Sequence, residues 1–182
     1  MSAVGSIDTI TLGGGCFWCL EAVYLEVRGV LSVESGYSNG QAERPDYEAV
    51  CSGSTGCVEV VSLRFDTSRI SLAQILDIFF LIHDPTTLNR QGHDVGTQYR
   101  SGIYWHRPQQ EVEVRNYLEQ LAREGRYADP IVTEVLPLSH YWPAESYHQN
   151  YYARNPYQGY CMHVVGPKVE KLRRSLSHLS AS

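Results

Sequence analysis

Cys16 follows three glycines, Gly13-Gly14-Gly15, at the point where the apolar run of Ile7, Ile10 and Leu12 stops and a helical period begins. Backbone N–H groups left free at a helix start, together with the positive end of the helix dipole, favour an anion there. A thiolate is such an anion, and a cysteine in this place can fall well below its free pKa of roughly 8.5 and act as a nucleophile. A buried structural cysteine beside a tight turn is the competing reading. A phosphate-binding loop fits less well, because no Lys followed by Ser or Thr comes after the glycines. Phe17 and Trp18 come next, and two large aromatics in one first turn cannot both face a core beneath Leu20, Val23 and Val27. An exposed aromatic beside the thiol makes an apolar wall, and sulfur–aromatic contact suits a thioether-like ligand.

Glu59 is the second candidate. In a strand, Cys57, Glu59, Val61, Leu63 and Phe65 share one face and Val58, Val60, Ser62 and Arg64 the other, so Glu59 sits on the more apolar side. A carboxyl buried there without a cation is hard to ionise and stays protonated near neutral pH, the state of a general acid. A salt-bridged or edge-exposed glutamate remains the alternative. Tyr47 and Tyr99 stand at the ends of loop segments flanking these strands and can donate a hydrogen bond to a developing oxyanion. Tyr147, Tyr151, Tyr152, Tyr157 and Tyr160 read as an amphipathic surface shared between core and water. The seven histidines lack the spacing of a zinc site, so no metal is expected.

These residues need elements to position them. The chain reads as strand (Ile7 to Leu12), helix (Cys16 onward, closed by Gly29), strand (Val30 to Tyr37), a turn-rich segment through Pro45, and strand (Cys57 to Phe65). Ser71 and Gln74 form a capping box before the stripe of Leu72, Ile75, Leu76, Phe79 and Phe80. His83 to Arg100 is a long polar loop of the kind that carries function. A strand at Gly102 to Trp105, a helix opened by Pro108, and a strand at Ile131 to Leu138 follow. Ala144 to Arg154 and Pro167 to Leu176 read as helices, joined by a loop, Asn155 to Met162, that carries Cys161. The order predicts an α+β fold: a ferredoxin-like split βαβ core with a mixed sheet and additional C-terminal helices and loop.

A length of 182 residues fits one domain (1–182, with its core at about 8–165 and a C-terminal helix and tail at 166–182). With 15 Lys+Arg against 20 Asp+Glu, the chain is not basic enough to seek nucleic acid. No stretch is apolar enough to span a membrane, and Met1 to Ser6 has no leader pattern, so a soluble cytoplasmic protein is expected, as a monomer. In a reducing compartment five cysteines point to chemistry or metal and not to a disulfide framework.

Four blocks carry a resemblance: Gly15-Cys16-Phe17-Trp18-Cys19, Tyr47-Glu48-Ala49-Val50-Cys51-Ser52-Gly53, Tyr99-Arg100 within the segment from Gln91 to Ser101, and Asn155-Pro156-Tyr157-Gln158-Gly159-Tyr160-Cys161. In this order they resemble the A-type peptide methionine sulfoxide reductases. The resemblance implies that Cys16 attacks the sulfoxide sulfur, that Phe17 and Trp18 hold the S-methyl group and side chain, and that Glu59, Tyr47 and Tyr99 hydrogen-bond the sulfoxide oxygen. Asp94 matches a site-lining acid. It implies a substrate of the S epimer, free or in oxidised proteins, a sulfenic acid on Cys16, a resolving thiol, and recycling by thioredoxin with dithiothreitol as substitute; no cofactor is required. Cys161 matches the tail motif that resolves, and Cys19 stands where many members have Gly; the expected order is Cys161 first, with Cys19 as relay. Cys57 replaces a common His, and Cys51 is expected to be a buried structural thiol. Two other readings stay open: a thiol–disulfide exchanger using Cys16 and Cys19 alone, and a zinc module using Cys16, Cys19, Cys51 and Cys57.

Overall fold

The structure, a computed structural model, describes residues 6–181. All of Met1–Ser6 except Ser6, the segment read for a leader, lies outside the described residues. In chain order the elements are β1 (Ile7–Gly13), α1 (Phe17–Tyr24), β2 (Val30–Ser38), α2 (Tyr47–Cys51), β3 (Val58–Asp66) and α3 (Leu72–Ile82). A small hairpin of β4 (Arg90–Gln91) and β5 (Asp94–Val95) precedes β6 (Gly102–Trp105), α4 (Pro108–Arg123), β7 (Glu134–Pro137), β8 (Trp142–Pro143), α5 (Tyr151–Arg154) and α6 (Gly166–Ser175).

Six strands make one mixed sheet in the order β7-β6-β1-β3-β2-β8, in which only β6 and β7 run parallel. The inner four, β6-β1-β3-β2, with α1 and α3 as crossovers, are the expected split βαβ unit. Alternation along β1 and β3 places Ile10 opposite Leu63 and Leu12 opposite Val61, all fully buried in one cluster with Leu20, Val23, Ile75 and Phe79 of the two helices. Burying each such side chain contributes roughly 1.5–3 kcal/mol relative to leaving it in water. Val58, Val60 and Tyr104 form a smaller cluster on the other face, so β3 does split its side chains as the period of two requires. At α3, Ser71 Oγ accepts from the Gln74 N–H (3.1 Å) and Gln74 Oε1 accepts from the Ser71 N–H (3.0 Å), the reciprocal cap read from the sequence.

Several expectations need correction. The helix expected at 144–154 is broken: a 3-10 turn spans Ser146–His148, Asn150 takes a left-handed conformation (φ 55°), and only Tyr151–Arg154 is α-helical. α1 ends at Tyr24, with a turn between it and Gly29, and the strand expected from Ile131 begins at Glu134. Cys161 lies in no loop; it opens a π-helical turn, Cys161–Val165, that runs into α6, and is buried. Cys51 is exposed, not buried, because α2 is a five-residue helix that buries only Val50. The long segment after His83 holds the β4–β5 hairpin and a 3-10 turn, Thr97–Tyr99.

Candidate active site

Cys16 is the N-cap of α1, so its sulfur stands at the mouth of the first turn. The turn before it is tightly enclosed: a Cβ on Gly14 would lie 2.9 Å from a ring carbon of Phe79, and Gly15, at φ 91°, has the Gln91 side chain 2.8 Å from where its Cβ would be. Glu59, second residue of β3 and 1% exposed, reaches the same turn, where its Oε1 accepts the backbone N–H of Phe17 at 3.1 Å. Its Oε2 is buried with no hydrogen-bond partner. Burial pushes the Glu59 carboxyl up to about 8, against the lowering effect of the Phe17 N–H, and the Asp94 carboxylate adds to the rise. Burial raises the Cys16 thiol as well, and the charges of Glu59 and Cys19 reinforce it, while the Trp18 backbone N–H acts in the opposite sense. The helix start therefore does not hold a free thiolate at rest: desolvation outweighs the dipole here.

Tyr47 opens α2 and is half-buried; its backbone N–H donates to Glu145 Oε2 (3.0 Å), while Tyr37, paired with Glu59 across the β2–β3 ladder, donates its hydroxyl to Glu145 Oε1 (2.8 Å). Tyr99 ends the 3-10 turn. Burial and the Glu59 charge raise both the Tyr47 and Tyr99 phenols, so each remains a donor. Arg100 fixes the surrounding loops: its guanidinium donates to the carbonyls of Gly56 (3.0 Å), Thr97 (2.9 Å) and Asn39 (3.3 Å) and pairs with Glu134 (3.1 Å).

The aromatic wall is deeper than Phe17 and Trp18 alone. Phe17 is fully buried, and Trp18 is the partly exposed member of the pair. The Trp18 indole stacks on Tyr151 with ring centres 3.7 Å apart and planes 4° apart, and its Nε1–H donates to His148 Nδ1 at 3.1 Å. His148 also lies against the rings of Phe17, Tyr47 and Tyr147. Glu21, buried on α1, accepts the Tyr151 N–H (3.2 Å) and so anchors the stacking partner one helical turn beyond Trp18.

Asp94, on β5, accepts the Tyr160 hydroxyl at 2.5 Å, and the same hydroxyl lies 3.9 Å from Cys19 Sγ. Structure thus gathers Cys16, Cys19, Phe17, Trp18, Glu59, Tyr47, Tyr99 and Asp94 around one turn. Cys161 is nearby in sequence to Tyr160 but buried in the π-turn, and the charged neighbours acting on Cys16 are Glu59, Cys19 and Asp94. Cys57 is buried against Gly40. Among the described residues no group of three or more His, Cys, Asp or Glu is arranged to hold a metal ion. Sequence reasoning missed Glu145, His148, Tyr151 and Tyr160; for His148 and Tyr151 the signal was the crowding of tyrosines between 147 and 160, read as surface, and for Tyr160 also its place in the block ending at Cys161.

A buried thiol at a helix start, beside a carboxyl that burial keeps protonated and ringed by phenols and stacked aromatics on an α+β sheet, defines a class of thiol enzyme with a built-in acid. The profile of the family described as Peptide methionine sulfoxide reductase matches residues 8–179, and the chain belongs to that family. A relative from Trichodesmium erythraeum (strain IMS101), named Peptide methionine sulfoxide reductase MsrA, is 55% identical over 168 residues, 92% of this chain and 95% of that one. Among solved structures, Mxr1 from Saccharomyces cerevisiae in reduced form superposes with a TM-score of 0.81 at 35% identity, covering 87% of this chain and 91% of that one. The same yeast protein in complex with Trx2 shares the fold at a TM-score of 0.57 and 24% identity, over 82% of this chain and 87% of that one.

Proposed function

We infer that this chain reduces methionine-S-sulfoxide, free or within proteins, to methionine at Cys16, acting as one catalytic domain in a reducing cytoplasm. The observation that carries the reading is the Glu59 carboxyl, protonated by burial, with one oxygen tied to the Phe17 N–H and the other unpartnered beside the nucleophile. Phe17 and the stacked Trp18 supply the apolar wall for the S-methyl group, and Tyr47 and Tyr99 supply donors for the sulfoxide oxygen. Cys16 sulfur bonds to the sulfoxide sulfur while Glu59 gives its proton to the oxygen, and the thiol proton returns to Glu59. The S–O bond and the transient S–S bond then break as the hydroxyl passes to the Cys16 sulfur, leaving a sulfenic acid there while methionine departs as the thioether. A protonated Glu59 also removes one of the charges that hold the Cys16 thiol up, so the acid that serves the oxygen eases the attack.

A second thiol then attacks the sulfenic sulfur, forming a disulfide and releasing water. Cys19 lies three residues from Cys16 on the same first turn and acts on its thiol, whereas Cys161 is buried in the π-turn and is not among the groups acting on Cys16. That proximity supports reading Cys19 as first partner and Cys161 as the later thiol, where the tail motif implies the reverse. Thioredoxin restores the dithiol, a role consistent with the yeast relative's complex with Trx2.

An assay with the two separated sulfoxide epimers, using thioredoxin or dithiothreitol, tests this. Turnover of the S epimer that disappears in Cys16→Ser is the expected result; turnover that survives the substitution overturns it.

A further inference from the structure

A cavity of about 380 Å³ opens directly from Cys16, between the β4–β5 hairpin and the start of α6. Its volume is within the range of small-ligand sites. One wall carries Asp94, whose carboxylate is already engaged by the Tyr160 hydroxyl. The other carries Lys168 and Lys171, three residues apart and so on one face of α6. Neither lysine belongs to any ion pair among the described residues. Glu170, between them in sequence, turns instead to Arg173 and Arg174. Lys168 is partly buried; burial raises the Cys19 thiol and the Lys168 charge acts against that rise, so its positive field extends to the reacting end of the cavity.

Two cations without a counter-ion, one of them partly buried and both lining the space that begins at the nucleophile, are the chemistry of an anion subsite. Methionine sulfoxide does not place a charge at its sulfur; the nearest anion it can bring is a carboxylate a few bonds away. We propose that Lys168 and Lys171 form a carboxylate subsite that sets substrate preference, favouring a methionine sulfoxide whose own α-carboxylate, or the acidic side chain of a neighbouring residue, enters the cavity. This rests on the reaction inferred above and adds to it which sulfoxides the site prefers. The lysines act in binding, and the sulfur chemistry stays with Cys16 and Glu59.

The test compares substrates with and without the carboxylate: N-acetyl-methionine-S-sulfoxide against its N-methylamide, and a peptide with Glu beside the sulfoxide against the same peptide with Gln. In the intact protein the acid of each pair is expected to have the higher kcat/KM, through KM, and the advantage to shrink as salt is raised. In the double variant Lys168→Gln, Lys171→Gln the acid-to-amide ratio of kcat/KM is expected to fall roughly tenfold, the scale of losing one hydrogen bond to a charged group. Loss of the ratio in the N-acetyl pair assigns the subsite to the α-carboxylate, and loss in the peptide pair assigns it to acidic neighbours. Turnover of all four substrates with ratios equal in parent and variant overturns the subsite alone. Absence of turnover on every sulfoxide in the parent overturns the reaction and the subsite together.

Discussion

The backbone N–H of Phe17 donates to Oε1 of Glu59 at 3.1 Å, joining the first turn of α1 to the start of β3. Through this one bond the helix that carries the nucleophile and the strand that carries the acid keep a fixed spacing. It also leaves Oε2 buried without a hydrogen-bond partner.

Replacing Glu59 with Gln keeps the size and the hydrogen-bonding capacity of the side chain and removes the transferable proton. A fall in kcat/KM of roughly 10²–10⁴, the span typical of losing a general acid, is expected. The parent enzyme should lose activity as pH rises through about 8, where Glu59 gives up its proton, and the variant should lack that limb. A pH–rate profile of both proteins checks this; an unchanged rate across the range would argue against the acid.

The same carboxyl makes stability depend on pH. Its folded pKa, about 8, lies above the ordinary 4.5, so the folded state holds the proton more tightly than the unfolded chain. The contribution is fully present below about pH 4.5 and is lost as pH rises toward 8, at up to about 1.4 kcal/mol for each unit of separation. Urea unfolding at pH 5 and pH 8 should show a steeper loss in the parent protein than in Glu59→Gln. Parallel losses in the two proteins would place the ionisation elsewhere.

The order of the thiols can be read after a single turnover without reductant. A Cys16–Cys19 linkage is expected in the first oxidised species by peptide mapping, and Cys19→Ser should accumulate sulfenic acid that a dimedone-type probe captures. A Cys16–Cys161 linkage in that first species would mean that the π-turn at Cys161–Val165 opens faster than the first turn of α1 can close.

Glu145 holds the donors without being one. Its carboxylate accepts the Tyr37 hydroxyl, the Tyr147 hydroxyl and the Tyr47 N–H at 2.8, 3.1 and 3.0 Å. Glu145→Ala should cost about 1–3 kcal/mol in unfolding free energy by leaving those donors unpaired, and should lower kcat by freeing Tyr47. Denaturant titration and steady-state rates measure the two effects, and a stable, fully active variant would remove Glu145 from the positioning scheme.

Much of this site was legible in the chain because strong periodicities carried it. The alternation around Glu59 placed the carboxyl on the buried face of β3, the capping box at Ser71 and Gln74 fixed the start of α3, and the glycines before Cys16 fixed the start of α1. What escaped was held by contacts between distant segments. A five-residue helix such as α2 has no period to read; Asp46 caps its start locally, but its Tyr47 N–H is held by Glu145, 98 residues away. The break at Asn150 comes from a left-handed residue within a stretch whose composition suits a helix, and Glu21 on α1 secures the chain just beyond it. Tyr160 and His148 became site residues only when that broken segment folded back over Trp18; His148 carries no local mark of function, and Tyr160 is marked only by its place in the block ending at Cys161.

The enclosure of the turn before Cys16 has a further consequence for how this protein can change. Gly14 is pressed by Phe79 and His83 of the α3 region, and Gly15 by Gln91 of the hairpin. A larger side chain at either glycine must displace one of those neighbours, and a larger side chain at Phe79 or Gln91 must displace the turn. Four positions scattered over nearly eighty residues are thus bound to a common fate, and drift at any one is felt as a shift in where the sulfur stands. Variation in this enzyme should accumulate on α4 and the outer strands long before it reaches that corner.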